Sequence, residues 1–187
     1  MAPPQAKLVL WVGPKHSGKT TAAAELVRRA RAGGFRVAGV LAPALHRGGE
    51  LSGFDLVDAS TGERAPLARR EGAGSLRAGS FVFCADGIER GHAALMSGTA
   101  RSADLVMVDE FGVLECRGEG WRRAVDDLLA SASGTIVLVV RERLAERVGR
   151  LYASRRPQAL PASEPSSVDS VLALLGERGA SAEEGTR

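Results

Sequence analysis

Gly13-Pro14-Lys15-His16-Ser17-Gly18-Lys19-Thr20 fits the pattern G-x-x-x-x-G-K-[ST] in full. Glycines let the backbone curl so that successive N–H groups point inward at an anion. A lysine beside the second glycine carries a compact charge on a flexible stem, suited to reaching between phosphate oxygens. The hydroxyl that follows is a hard oxygen ligand for Mg2+. The spacing therefore predicts a phosphate-binding loop for a nucleoside triphosphate such as ATP or GTP. Lys19 would reach the β- and γ-phosphates and Thr20 would ligate magnesium. Thr21 continues into a helix whose positive end adds to the attraction. Gly13, Pro14, Ser17 and Gly18 supply the cradle. Lys15 and His16 either touch phosphate or decorate the loop. The chain has three lysines, Lys7, Lys15 and Lys19, among 25 basic residues, so two of the three stand in this loop.

A second group of chemistry-bearing residues follows Leu105-Val106-Met107-Val108, an apolar run ending in Asp109-Glu110. Phosphate-binding folds deliver an aspartate beside the magnesium from a strand next to that of the loop. Asp109 is the candidate, holding the ion through a water because magnesium keeps several of its own. Glu110 would project toward the other side of the strand end and polarise an attacking water. Arg141 directly follows the β-branched run Thr135–Val140, and strand ends of this kind face the ligand crevice. It either senses γ-phosphate charge or sits on the surface. Asp109-Glu110-Phe111-Gly112 also satisfies D-x-x-G, but no lysine lies beyond Lys19 to complete a guanine-reading N-K-x-D, which disfavours a switch GTPase.

These residues need a frame. Lys7–Val12 reads as a buried strand, Lys19–Arg31 as a helix stopped by Gly33-Gly34, and 36–42 as a second buried strand. That is a βαβ unit of a doubly wound sheet. Leu51–Asp58 and Glu63–Ala68, joined by Ser60-Thr61-Gly62, predict a β-hairpin inserted at about 51–68. Residues 69–79 read as a loop, and 80–83 as a short strand before a helix over 88–97. Trp121–Ala130 and Glu142–Tyr152 read as helices around the strand Thr135–Val140. A weak last strand at 157–161, a helix at 168–175 and a disordered tail at 179–187 complete the chain. The expected fold is α/β and three-layered. Its sheet is mainly parallel, and residues 1–178 form one domain.

The 187 residues are 44% hydrophobic and 25% charged, which suits a single domain with a sizeable core. A net charge of +3 is spread along the chain, so a nucleic-acid surface is not expected. Cys84 and Cys116 lie far apart and read as buried free thiols. No run approaches the length needed to span a bilayer, and the cytoplasm is the expected location.

The combined motifs resemble the nucleoside-triphosphatase family first described in thermophiles, which includes the cancer-related nucleoside-triphosphatase. The resemblance rests on the loop with Thr20-Thr21 and on Val37-Ala38-Gly39-Val40. It extends through Gly53-Phe54-Asp55-Leu56-Val57-Asp58, Thr61-Gly62-Glu63-Arg64 and Leu67-Ala68 to Asp109-Glu110-Phe111-Gly112-Val113-Leu114-Glu115. It implies slow, magnesium-dependent hydrolysis of ATP, GTP and other nucleoside triphosphates with little base preference. It also implies a RecA-like P-loop fold, and roles for Asp109 and Glu110 as the metal-binding and water-activating acids. The form Lys15-x-Ser-Gly-Lys-Thr-Thr is also similar to the adaptor proteins of molybdopterin-guanine dinucleotide synthesis. Two other readings therefore stand beside hydrolysis. One is a kinase acting on a nucleotide or small molecule, with Arg64, Arg69, Arg70 and Arg77 closing over phosphates. The other is a nucleotide-gated adaptor that binds a partner protein and turns over little.

Overall fold

The computed structural model describes residues 6–72, 74–164 and 166–183, with side-chain surroundings as far as residue 176. The chain begins with β1 (Lys7–Gly13), α1 (Lys19–Ala32) and β2 (Val37–Leu41). Five strands come next: β3 (Ala44–Arg47), β4 (Glu50–Asp58), β5 (Arg64–Arg69), β6 (Arg77–Ala78) and β7 (Phe81–Phe83). The rest alternates through α2 (Ala85–Met96), α3 (Gly98–Ser102), β8 (Leu105–Val108), α4 (Arg122–Ser131), β9 (Thr135–Arg141), α5 (Glu142–Leu151), β10 (Gln158–Pro161) and α6 (Ser167–Glu183).

All ten strands join one sheet in the order β10-β1-β9-β8-β2-β4-β5-β7-β6, with β3 paired to β4. From β10 to β2 every pairing is parallel, and from β4 outward every pairing is antiparallel. Parallel strands are covered on both faces, which is why β8 and β9 are apolar almost throughout. Alternate residues feed two cores. Leu8, Leu10, Val106, Val108, Ile136 and Leu138 face one side with residues of α2, α4 and α5. Val9, Trp11, Met107, Val137 and Val139 face the other with α1 and α6. The three expected layers are present. At Gly39 the backbone of β2 lies so close to β8 that a Cβ would stand 2.0 Å from the carbonyl oxygen of Met107. With its φ of 109°, only glycine fits there.

The antiparallel part is larger than one hairpin. β3, with a Gly48-Gly49 turn into β4, was not expected, because Ala44–Arg47 is short and mostly exposed. The hairpin at 51–68 is therefore the middle of a five-stranded extension of the main sheet. The expected loop at 69–79 includes β6, and α2 starts three residues earlier than the apolar pattern suggested. The tail also differs. α6 runs on through residue 183, so 179–183 are helical, and 184–187 lie outside the described residues. Cys84 and Cys116 are free but only half-buried.

Candidate active site

Strand register assembles the site. Gly13 pairs with Arg141, and Val108 pairs with Leu138 and with Val40. The carboxyl ends of β1, β9, β8 and β2 thus form one edge carrying the glycine-rich loop, Arg141 and Asp109-Glu110. Such an edge is where sheets of this type bind ligands. One expectation changes here. β8 is not next to β1, because β9 lies between them. The strand with the strongest β-branched run took the central position, and Arg141 rather than Asp109 is the neighbour of Gly13.

The loop turns through left-handed backbone at His16 (φ 62°) and Gly18 (φ 77°). Gly18 precedes α1 without a side-chain cap, and the first turn of α1 carries no acid. The N–H groups of that turn are therefore available to an anion. A Cβ at Gly13 would crowd Ser17 and Lys19 at 3.0 and 3.2 Å, so the strand can enter the loop only through glycine. Ser17 and Lys19 both donate to the carbonyl of Pro14, which braces the curl. Lys19 is 7% exposed, and burial holds its ammonium below the usual lysine range, opposed mainly by the charge of Glu110. Lys15 and His16 are exposed on the rim of the cleft, and Thr21 also lines it.

Asp109 is wholly buried. Its carboxylate accepts from the backbone N–H of Ala42 at 3.1 Å, from its neighbour Glu110 N–H at 3.0 Å, and from the Thr20 hydroxyl. Thr20 and Asp109, predicted from sites 89 positions apart in the sequence, therefore touch. Burial, with the charge of Glu110 second, pushes the Asp109 carboxyl up to about 6, against the pull of these hydrogen bonds. A buried carboxylate facing a hydroxyl offers hard oxygens of the kind magnesium takes, with water and phosphate completing the shell. No cluster of three or more His, Cys, Asp or Glu among the described residues competes as a metal site.

This shift has a measurable consequence. Between about pH 4 and pH 6 the folded state keeps a proton on Asp109 that the unfolded chain has released. Stability must then fall as pH rises through that window and level off above it, by about 3 kcal/mol from this group. Urea unfolding in EDTA of wild type and Asp109→Asn should show the wild type losing ground to the variant from pH 4 to 6. Parallel pH profiles would count against it.

Glu110 takes a left-handed backbone (φ 61°), uncommon for a non-glycine residue. The turn aims its carboxylate along the edge, where Arg141 Nη2 donates to it at 2.9 Å. Both side chains are about one-quarter exposed, so each remains open to the cleft. Arg141 thus lies in the cleft lining against Glu110. Glu115 is 4% exposed and accepts from the backbone N–H of Gly112 at 2.8 Å and of Trp121 at 3.1 Å. It ties the loop after β8 to the start of α4 and lines the cleft that the phosphate loop also borders. Burial raises its carboxyl above the usual range, tempered by those two N–H groups.

A cleft of about 830 Å³ opens over this edge. The loop residues 15–21, Glu110 and Arg141 line one end, and Phe54, Leu67, Phe81, Phe83, Ile88 and Trp121 line the other. The apolar end was not foreseen from sequence. Its residues come from four elements and the residue before α4, with no shared period. None of Arg64, Arg69, Arg70 and Arg77, expected to close over phosphates, lines it. Arg69 is spent on Asp55 and on the carbonyls of Phe54 and Ala68, while Arg70 donates to the Leu51 carbonyl and lies against the ring of Phe81. Arg64 and Arg77 lie outside the cleft lining.

Comparison with known proteins bears on this arrangement. A family model described as NTPase matches residues 9–159. The chain is 33% identical over 152 residues to nucleoside-triphosphatase THEP1 of Methanopyrus kandleri, covering 81% of this chain and 83% of that protein. It is 32% identical over 133 residues to nucleoside-triphosphatase THEP1 of Thermococcus kodakarensis, covering 70% and 74%. Its fold is similar to the solution structure of a human cancer-related nucleoside triphosphatase (TM-score 0.64, 22% identity, covering 97% of this chain and all of that one). It is also similar to the crystal structure of THEP1 from Aquifex aeolicus (TM-score 0.62, 18% identity, covering 89% and 98%). No helix among the described residues is long and apolar enough to cross a membrane.

Proposed function

Since this chain belongs to the NTPase family and is a nucleoside-triphosphatase, we propose that it hydrolyses ATP, GTP and other nucleoside triphosphates to the diphosphate and phosphate, with magnesium and little base preference. The observation that supports this reading best is the convergence of Lys19, the Thr20–Asp109 contact and the Glu110–Arg141 pair on one sheet edge.

The residues divide the chemistry as follows. The N–H groups of the loop and of the first turn of α1 bind the α- and β-phosphates. Lys19 leaves the Pro14 carbonyl and bridges β- and γ-oxygens, where its partial burial strengthens its charge against solvent screening. Thr20 and Asp109 would hold a magnesium ion, which would supply positive charge against the negative charge developing on the phosphate oxygens. Arg141 sits between Glu110 and the place of the γ-phosphate, so a bound phosphate competes for its guanidinium and leaves the Glu110 carboxylate to orient water. Water oxygen then bonds to the γ-phosphorus and the bond to the β–γ bridging oxygen breaks. The water proton passes to Glu110 and on to solvent. All of these contacts are to phosphates, which is why the base contributes little. Lys15, His16, Thr21 and the rest of 13–20 complete the nucleotide-binding loop.

Phosphate release from ATP, GTP, CTP and UTP tests the reading. Turnover of all four within about tenfold of one another is expected, lost in EDTA and restored by Mg2+. One base preferred far beyond that range would exclude broad specificity. Tight binding without release would point instead to the nucleotide-gated adaptor suggested by the Lys15–Thr21 form of the loop.

A further inference from the structure

We propose that the apolar end of the cleft is a second substrate site for a planar aromatic or heteroaromatic alcohol of about nucleoside size, to whose hydroxyl the protein transfers the γ-phosphoryl group. The proposal rests on the nucleotide reading above, because that reading sets which end of the triphosphate faces the cleft.

Direction comes first. Loop amides cradle the α- and β-phosphates and Lys19 reaches toward γ. The γ end therefore points along the sheet edge toward Asp109 and Glu110. In sheet order the apolar wall lies farther along the same line, on β4, β5, β7 and the start of α2, beyond β8 and β2. In a linear triphosphate the nucleoside hangs from the opposite end. The apolar wall is thus placed to receive a different molecule, one that meets the γ-phosphate head-on.

Composition comes second. The chain has eight aromatic residues: five Phe, two Trp and one Tyr. Four of them, Phe54, Phe81, Phe83 and Trp121, line this one cleft. Phe54 and Phe81 meet edge-on, with centroids 5.2 Å apart and planes at 70°. The three phenylalanines are only half-buried, whereas Trp121 behind them is nearly as buried as Trp11 and Phe111 in the cores. Hydrolysis needs no such wall, since water is small and polar. Partly uncovered rings beside a phosphate site suit a flat apolar ligand, and the whole cleft of about 830 Å³, phosphate end included, is of the size of small-molecule sites.

Rigidity comes third. The indole of Trp121 is wedged against α2 at Gly91, where a Cβ would lie 2.5 Å from Nε1. Glu115 holds the backbone of Trp121 from the other side. Arg70 lies over Phe81, 5.5 Å from its centroid, and is itself tethered to the Leu51 carbonyl. A wall fixed in this way binds without an ordering penalty.

The transfer balances without a further reactant. The acceptor oxygen bonds to the γ-phosphorus, and the bond to the β–γ bridging oxygen breaks with its electron pair leaving on the diphosphate. The hydroxyl proton goes to Glu110 and then to solvent. The products are the phosphate monoester and the nucleoside diphosphate.

The test follows label from γ-labelled ATP, with magnesium, in the presence of adenosine, thymidine or pyridoxine at millimolar concentration, with glycerol as a non-aromatic alcohol. Labelled phosphate ester on an aromatic alcohol and none on glycerol is expected. Phe54→Ala and Phe81→Ala should lower that transfer about tenfold or more, through a raised KM, while phosphate release to water without acceptor continues as in wild type. Label recovered only as free phosphate with every aromatic alcohol would overturn the proposal and leave the hydrolytic reading standing. An equal fall of hydrolysis and transfer in the two variants would also overturn it, by assigning the wall to the water reaction. Neither free phosphate nor labelled ester would instead reject the hydrolytic reading itself.

Discussion

Lys19→Ala is expected to lower kcat for phosphate release by roughly 10²–10³-fold while leaving the fold intact. The size follows from removing one pre-placed charge aimed at oxygens that gain charge in the transition state, worth about 3–4 kcal/mol in a partly desolvated site. Lys19 meets these conditions. It is almost fully buried, its charge is already disfavoured by burial, and the acids that favour the charge, chiefly Glu110, sit at the same edge. The same facts predict that stability changes by no more than about 1 kcal/mol, since the ammonium's hydrogen bond goes to a single carbonyl, that of Pro14. Lys19→Arg should not rescue turnover, because a planar fork cannot enter a curl built around a point charge. Steady-state phosphate release together with a thermal melt checks both parts. Turnover within about tenfold of wild type would mean that this loop does not hold the reacting phosphates.

The second large effect belongs to Glu110→Gln. The variant keeps the size of the side chain and an oxygen for Arg141, but loses the charge and the ability to take a proton. A fall in kcat of about 10²–10⁴-fold is expected, with nucleotide binding unchanged or tighter, because a negative charge near the γ-phosphate has been removed. Arg141→Ala alone should also lower kcat, and the double variant should be less impaired than the product of the two single effects, since the two side chains act on one another. Single-turnover kinetics with separately measured nucleotide affinity distinguishes these outcomes. Undiminished turnover in Glu110→Gln would remove the residue from the mechanism and reduce its contact with Arg141 to an ion pair at the cleft edge.

The pH effect at Asp109 and the catalytic effects share one cause. Each depends on a charged group kept from water at the strand ends. Such groups weaken the free protein, and under the proposed mechanism they would strengthen its hold on phosphate and metal, so stability and function would pull apart there.

Much of this was legible in the chain. The loop pattern identified Gly13 through Thr20 because phosphate binding requires adjacent residues on one backbone turn. The parallel strands were legible because strands covered on both faces read as unbroken apolar runs, as in Leu105–Val108 and Thr135–Val140. Asp109 and Glu110 stood out because they end such a run, and the strand register puts them at the sheet edge that carries the loop. β3 was missed because it is short, exposed and without alternation. The full length of α6 was missed because its last residues are polar and carry no periodic apolar face. The role of Glu115 was missed because its partners are backbone N–H groups, which no side-chain pattern announces.

By itself, then, the sequence determined the local chemistry: which residues curl, which carry charge, and which strands must be buried. The tertiary structure decided their distances. Strand order placed β9 between β1 and β8, set Arg141 beside Gly13, and brought the hydroxyl of Thr20 to the carboxylate of Asp109. It also gathered Phe54, Phe81, Phe83 and Trp121 into one wall. Strand pairing joins segments far apart in the chain, and the free energy that selects one order is summed over the whole sheet and both its cores. Proximity across that sheet is a property of the packed whole, and no single stretch of residues encodes it.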